Sequence, residues 1–240
     1  MKGTPKGKLY LIPTTLGETS ALEVLPISVK KVVEMIDHYI VENEKAARRS
    51  IKAISSGKSQ PSLQLNLLNK FTEASEIPSY LEPCMHGIPV GLLSDAGVPG
   101  VADPGAEVVK IAHSKGIKVV PLVGPSSILM AMMASGMNGQ NFAFNGYLPI
   151  EQKQRKQELK RLEKLSHDAG QSQLFIETPY RNDKMLQDIV SAVHPETQVC
   201  VACDITLATE YIVTQSAANW KAAMPDLHKR PAIFIIHKGI

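Results

Sequence analysis

Val90-Gly91-Leu92-Leu93-Ser94-Asp95-Ala96-Gly97-Val98-Pro99-Gly100-Val101-Ala102-Asp103-Pro104-Gly105 is the stretch whose reading decides the fold of this 240-residue chain. Its first four residues are a short apolar run bounded by turn residues, the pattern of a strand buried on both faces. A helix is expected from about Asp103-Pro104 to Lys115-Gly116, with the glycine as its stop. The loop between strand and helix exceeds the roughly 2–6 residues that such a turn normally takes. It lies at the carboxyl end of a strand, where open α/β sheets bind ligands. Its small residues let backbone groups approach a ligand closely. Asp95 can receive an ammonium group and the amides that open the helix can receive a carboxylate, so a zwitterionic amino-acid tail suits the loop. Asp103 has two readings, a ligand group or a helix cap with Pro104 in the first helical position, and the cap is the commoner.

Outward from this stretch, short apolar runs alternate with helical patterns, as in βαβ units. Strands are expected at Leu9-Tyr10-Leu11-Ile12, His38-Tyr39-Ile40-Val41 and Ile117-Lys118-Val119-Val120, with a weaker one near residues 63–67. Helices are expected around residues 31–36 and 44–54, and an apolar one at 128–135. Proline and glycine punctuate the chain between Pro121 and Gly124, which places a domain boundary there and predicts domains of residues 1–121 and 122–240. The second half repeats the alternation. Strands are expected at Phe142-Ala143-Phe144, Gln173-Leu174-Phe175-Ile176, Val199-Cys200-Val201-Ala202, Glu210-Tyr211-Ile212-Val213 and Ala232-Ile233-Phe234-Ile235-Ile236. Helices are expected at 151–165 and 182–193.

Composition is that of an ordinary globular protein, 44% hydrophobic and 20% charged, and the net charge of +3 permits an anionic partner without requiring one. Neither GxGxxG nor a Walker A string occurs, so the common dinucleotide and nucleoside triphosphate readings lose support. Of the three cysteines, Cys84, Cys200 and Cys203, the last two share CxxC spacing but fall in a run that reads as a buried strand. Inert thiols in a reducing cytoplasm are the expectation. The seven histidines show no metal-ligand spacing, and no metal is expected. The octapeptide Met1-Lys2-Gly3-Thr4-Pro5-Lys6-Gly7-Lys8 lacks the apolar segment of a signal peptide, and no run of about 18 apolar residues suggests a membrane span.

Residues 92–105 resemble the signature of the tetrapyrrole methylase superfamily. They are closest to its branch that methylates a ribose 2′-hydroxyl of a cytidine in small-subunit ribosomal RNA. The similarity continues through residues 116–127, 144–149, 174–181 and 231–236, with the motifs in the right order. The resemblance implies two α/β domains of the tetrapyrrole-methylase type, S-adenosyl-L-methionine in a cleft between them, and a homodimer. Carried over by position, Asp95, Ala96, Gly97, Val101 and Ala102 contact the cofactor, and Ser126 and Ser127 form a further cofactor turn. Phe175, Ile176, Glu177, Ala202 and Ala232 match the second-domain edges around the adenine. Three strings depart from the family. Ile12-Pro13-Thr14-Thr15-Leu16-Gly17-Glu18 replaces Thr-Pro-Ile-Gly-Asn, Val41-Glu42-Asn43-Glu44 stands where Glu-Asp-Thr-Arg is usual, and Cys203-Asp204-Ile205-Thr206-Leu207-Ala208 replaces Arg-Glu-Leu-Thr-Lys. The cofactor loop is retained while acceptor-side strings differ.

The expected function is therefore methyl transfer from S-adenosyl-L-methionine to ribosomal RNA or a related acceptor. The alternatives are a small-molecule, tetrapyrrole-like acceptor and a cofactor-binding protein without catalysis. Twelve aromatic residues give the tetrapyrrole reading little to line a pocket with. Glu177 and Arg181, just past a strand end, are the candidate catalytic pair, as base and phosphate group, with an internal ion pair as the competing reading. The helix at 152–165 carries six basic residues, Lys153, Arg155, Lys156, Lys160, Arg161 and Lys164, against two acidic ones. Leu159, Leu162 and Leu165 form its apolar stripe. Its basic face, and the cluster Lys45, Arg48, Arg49 and Lys52, suit either RNA phosphates or solvent.

Overall fold

The apolar runs of the first half become a parallel sheet. A computed structural model describes residues 5–239; residues 1–4, half of the N-terminal octapeptide, and residue 240 lie outside the described residues. The chain divides into two units, Met1–Ser126 and Ser127–Ile240.

In the first unit, strands β1 (Leu9–Ile12), β2 (His38–Val41), β3 (Gln64–Leu67), β4 (Val90–Leu93) and β5 (Val119–Pro121) lie in the order β3-β2-β4-β1-β5. Each resolved pairing is parallel. β4 is central and buried at all four positions, as its unbroken apolar run requires. Helices α1 (Ala21–Val24), α2 (Ile27–Met35), α3 (Glu44–Ile54), α4 (Glu82–Met85) and α5 (Ala106–Ser114) complete the unit. Side chains alternate across the sheet. Ile12, Tyr39, Val41 and Leu93 pack with Val29, Val33 and Ile51 on one face. Leu9, Ile40, Val90 and Leu92 pack with Leu81 and Val108 on the other.

The helix expected from Asp103-Pro104 starts later, at Ala106, and Asp103 does not cap it. Gly105 adopts φ 135°, a conformation that other residues rarely reach, and it turns the chain out of helical geometry just before the first turn. Asp103 is thereby left in the loop.

The second unit holds α6 (Ser127–Ser135), β6 (Phe142–Tyr147), α7 (Gln152–Ala169), β7 (Ser172–Ile176), α8 (Asn182–Ala192), β8 (Gln198–Cys203), β9 (Tyr211–Ser216), α9 (Ala217–Ala222) and β10 (Ala232–His237). Its sheet runs β6-β7-β10-β8-β9. Continued βαβ alternation would make this sheet parallel too, but only β6 and β7 pair so. β7–β10, β10–β8 and β8–β9 are antiparallel. Between β8 and β9 the connection is too short for the crossover of about a dozen residues that parallel pairing needs. Glu210, expected inside a strand, precedes β9 and accepts a hydrogen bond from the Thr206 amide.

α7 outruns its expected end and stops at Gly170, which supplies the left-handed C-terminal turn at φ 58°. Leu159 and Leu162 are fully buried, but Leu165 is 38% exposed. Ser166 takes the core position instead, so the buried stripe is Arg155, Leu159, Leu162 and Ser166. Successive members of that set are three or four residues apart, and Leu165 falls beside it. The three cysteines are free and buried. Cys200 and Cys203, three apart in β8, point to opposite faces, and burial pushes the Cys203 thiol up to about 11. Among the described residues, no helix is long and apolar enough to cross a membrane.

Candidate functional site

Because β1, β2 and β4 are parallel neighbours, the residues that follow them emerge at one edge of the sheet. Thr14 follows β1, Glu42 follows β2, and Ser94-Asp95 follow β4. The loop after β4 is pinned to the end of β1. The Thr14 amide donates to the Gly97 carbonyl at 2.9 Å. Ser94 Oγ donates to the same carbonyl at 2.6 Å, and Thr14 Oγ1 donates to the Ser94 carbonyl at 3.2 Å. Gly97 takes φ 74°, and a side chain there would come within 3.3 Å of the Pro125 carbonyl oxygen. The chain thus passes close to Gly97 immediately before Ser126. Asp95, Ala96, Val101 and Ala102 are exposed, whereas Gly97 is buried. Ala102, a non-glycine residue, sits at φ 61°, a sparsely populated conformation that the surrounding loop must hold in place. Ser126 and Ser127 are half-buried, and Ser127 opens α6.

Three carboxylates meet at this edge. Burial, then the charges of Asp103 and Asp95, push Glu42 up to about 7, with the Asp95 amide offsetting part of the rise. Burial and the Asp95 charge push Asp103 up to about 6. Desolvation raises Asp95 as well. Glu42 Oε1 is buried and has no hydrogen-bond partner among the described residues. An orphaned carboxylate oxygen beside two further acids lowers its free energy by receiving a cation. Among the described residues, no group of three or more His, Cys, Asp or Glu side chains is placed to hold a metal ion. A ligand with an ammonium and a sulfonium group fits the negative charge of this edge. Sequence reading singled out Asp95 and missed Glu42 as its neighbour. The available signal was that Glu42 directly follows a strand and so must lie at the ligand-binding edge.

A cavity of about 260 Å³ adjoins the loop. Residues 14–19 line it on one side and Ala46, Arg49, Ser50 and Ala53 of α3 on another, and Asp95 and Ala96 line it too.

In the second unit, register brings Ile176, Ala202 and Ala232 to one end of the sheet, since Ile233 lies opposite both Ile176 and Ala202. Phe175 is fully buried and stacks on Phe234 at 6.0 Å, so its side chain belongs to the core and only its backbone can reach a ligand. Ala202 is likewise buried. Glu177 accepts from Arg181 at 2.6 Å and from the Thr178 amide at 2.6 Å. Burial raises its pKa, but Arg181 and that amide outweigh burial and hold the carboxyl below its usual range. The pair is thus an internal ion pair, and a carboxylate so held is a weak proton acceptor.

Nor do all the basic residues of α7 face solvent. Arg155 is buried, donates to Asp188 at 2.5 Å and 3.0 Å, and donates to the Pro149 and Ile150 carbonyls. Arg161 pairs with Glu158 and Lys164 with Asp168, whereas Lys153 and Lys160 are exposed.

Comparison with known proteins agrees with this geometry. Ribosomal RNA small subunit methyltransferase I of Vibrio cholerae is 29% identical over 241 residues, covering 98% of this chain and 80% of its own length. The protein of the same name from Leptospira biflexa is 28% identical over 234 residues, covering 97% and 91%. Among solved structures, the methyltransferase CobJ matches with a TM-score of 0.65 at 16% identity, over 97% of this chain and 94% of its own. Uroporphyrin-III C-methyl transferase from Thermus thermophilus, complexed with S-adenyl homocysteine, matches with a TM-score of 0.57 at 15% identity, over 97% and 98%. At such identities the structural likeness speaks to fold alone. The profile of the Tetrapyrrole (Corrin/Porphyrin) Methylases matches residues 12–220, from the end of β1 into α9, and the chain belongs to that family.

Proposed function

We propose that this protein transfers a methyl group from S-adenosyl-L-methionine to small-subunit ribosomal RNA, at a ribose 2′-hydroxyl. The observation that carries this reading is the near full-length similarity to proteins named for that RNA, 97–98% of this chain in the two relatives above. The charge at the first unit's ligand edge supports the cofactor. When bound, the cofactor supplies a methyl group activated by a sulfonium. The chain's own residues bind and orient. Asp95 receives the ammonium group, Glu42 and Asp103 add negative charge, and Ala96, Gly97, Val101, Ala102, Ser126 and Ser127 present backbone and hydroxyl groups. In the second unit Ile176, Ala202 and Ala232, with the backbone of Phe175, offer an apolar edge to the adenine, and Glu177 is retained there as an ion-paired positioning group. We further infer a cytoplasmic homodimer, supported by the family resemblance and by three buried thiols free of disulfides.

The test uses purified protein, tritium-labelled S-adenosyl-L-methionine and small ribosomal subunits from cells lacking the gene. The expected product is labelled ribosomal RNA that releases alkali-resistant dinucleotides, because 2′-O-methylation blocks hydrolysis at that position. Label in a small-molecule fraction would move the acceptor to a tetrapyrrole-like compound. Cofactor binding without label anywhere would favour a protein that has lost catalysis. Absence of cofactor binding would end the methyltransferase reading. Light scattering should give about twice the 26.1 kDa chain mass, and a monomer at micromolar concentration would contradict the dimer. Cell fractionation should recover the protein with the cytoplasm, and recovery with membranes would contradict that location.

A further inference from the structure

We propose that the cavity between residues 14–19 and α3 seats a phosphate of the acceptor RNA, with Arg49 as its anchor. This deepens the RNA reading and rests on it.

α3 buries Ala47, Ile51 and Ile54 against the sheet. That spacing turns Ala46, Arg49, Ser50 and Ala53 toward the cavity, one or two residues from each turn of the helix. The two adjacent arginines have different surroundings. Arg48 is committed to the fold, with Nε on Glu44 at 2.9 Å and Nη1 on the Gln60 carbonyl at 2.7 Å. Among the described residues, the Arg49 side chain has neither an ion pair nor a hydrogen bond, and it is exposed on the cavity wall. Thr19 also lines the cavity, and its Oγ1 is buried without a hydrogen-bond partner among the described residues. A buried hydroxyl is seldom left unpaired in a finished site, and rotation of the Thr19 side chain would bring it to a ligand oxygen in the cavity. Gly17, Ala46, Ala53 and Ala96 keep the cavity open by being small.

Charge distribution gives the ligand a direction. Arg49 and Asp95 both line the cavity, and among the described residues no ion pair joins them. Glu18, the other acid on the lining, is exposed, where water screens it. An acceptor that places phosphate at the arginine end and its reacting sugar toward Asp95 and Ala96 matches this polarity. A guanidinium grips phosphate oxygens with two parallel hydrogen bonds. A space of about 260 Å³ admits a sugar-phosphate unit.

Binding of a fluorescent small-subunit ribosomal RNA transcript, measured across a salt series, tests the proposal. Arg49→Gln should weaken binding roughly tenfold or more and lower the salt slope by about one unit. Its affinity for S-adenosyl-L-methionine should equal wild type, which also reports that it folds. Arg49→Lys should recover part of the loss. In methylation, KM for the RNA should rise with little change in kcat. Lys110→Gln, which removes one exposed charge from α5, should lose much less. RNA binding that Arg49→Gln leaves unchanged, or that both variants weaken equally, would overturn the phosphate anchor and leave the RNA function standing. A parallel loss of cofactor affinity would overturn it by moving Arg49 to the cofactor site. Wild-type protein that binds the cofactor but no RNA would remove the function and the anchor together. Arg49-dependent binding of uroporphyrin in its place would make the site one for carboxylates.

Discussion

In residues 127–240 each of three buried acids is answered by an arginine: Asp188 by Arg155 at 2.5 Å, Glu177 by Arg181 at 2.6 Å, and Asp204 by Arg230 at 2.7 Å. At the ligand edge of residues 1–126, Glu42, Asp95 and Asp103 converge, and no cation among the described residues forms an ion pair with them. Titration follows the contrast. Asp188 is held below the usual range, since Gln152 and Arg155 outweigh its burial, while Glu42 and Asp103 rise to about 7 and about 6. Paired acids belong to the scaffold, and uncompensated acids at a strand edge await a partner from outside.

The largest effect should come from breaking a paired acid. Asp188→Ala leaves Arg155 buried beside two carbonyls with no counter-charge, and urea unfolding should show a loss of about 3–5 kcal/mol. A loss under about 1 kcal/mol would return Arg155 to the set of groups available for RNA phosphate. An intermediate effect is expected at the uncompensated edge. Calorimetry should show Asp95→Ala weakening S-adenosyl-L-methionine by about 1–3 kcal/mol without loss of folding stability. Equal affinities would reduce the loop to its backbone contacts and blunt the contrast between the units.

The smallest effect also has the most diagnostic sign. A folded-state carboxylate pKa raised above its unfolded value means that the native state binds more protons through the window between the two. Stability of the ligand-free protein therefore falls as pH rises from the ordinary carboxylate range through about 7. Glu42→Gln removes that penalty and should stabilise the ligand-free protein by about 1–2 kcal/mol at pH 8, with little difference near pH 5. Cofactor affinity should run the other way, rising from pH 5.5 to pH 8 as Glu42 and Asp103 ionise. Thermal melting and calorimetry across that range check both slopes. A Glu42→Gln protein less stable than wild type at pH 8 would show that the Asp95 amide and the fold around it compensate the Glu42 charge in full.

The two basic helices repeat the lesson at the level of sequence reading. Lys45, Arg48, Arg49 and Lys52 look alike on paper, as do Lys153, Arg155 and Lys156. Burial separates them: Arg155 is a core group, Arg48 ties α3 to the Gln60 carbonyl, and Arg49 lines the cavity. Helical period was legible and assigned Leu159 and Leu162 correctly. It could not decide between Leu165 and Ser166, adjacent residues on the margin of the buried stripe, because that choice depends on which surface the neighbouring elements cover.

The sequence by itself determined the strands. Runs such as Val90-Gly91-Leu92-Leu93 and Ala232-Ile233-Phe234-Ile235-Ile236 are too short for a buried helix and are bounded by turn residues, which leaves a sheet to satisfy both burial and backbone hydrogen bonding. It also determined the long loop after β4 and, through ordered motifs, the family. Apart from β8 and β9, whose short connection allows only antiparallel pairing, tertiary structure decided how strands pair. Register and direction are set by groups far apart in the chain, so nothing local distinguishes parallel β4 from antiparallel β10. It also decided where α5 begins, through the conformation of Gly105. Glu42 reaches Asp95 and Asp103 for the same non-local reason: β2 and β4 are neighbours in the sheet but far apart in the chain. Charge at the ligand edge is a property of that pairing, because the strength of an uncompensated carboxylate depends on what the fold places beside it.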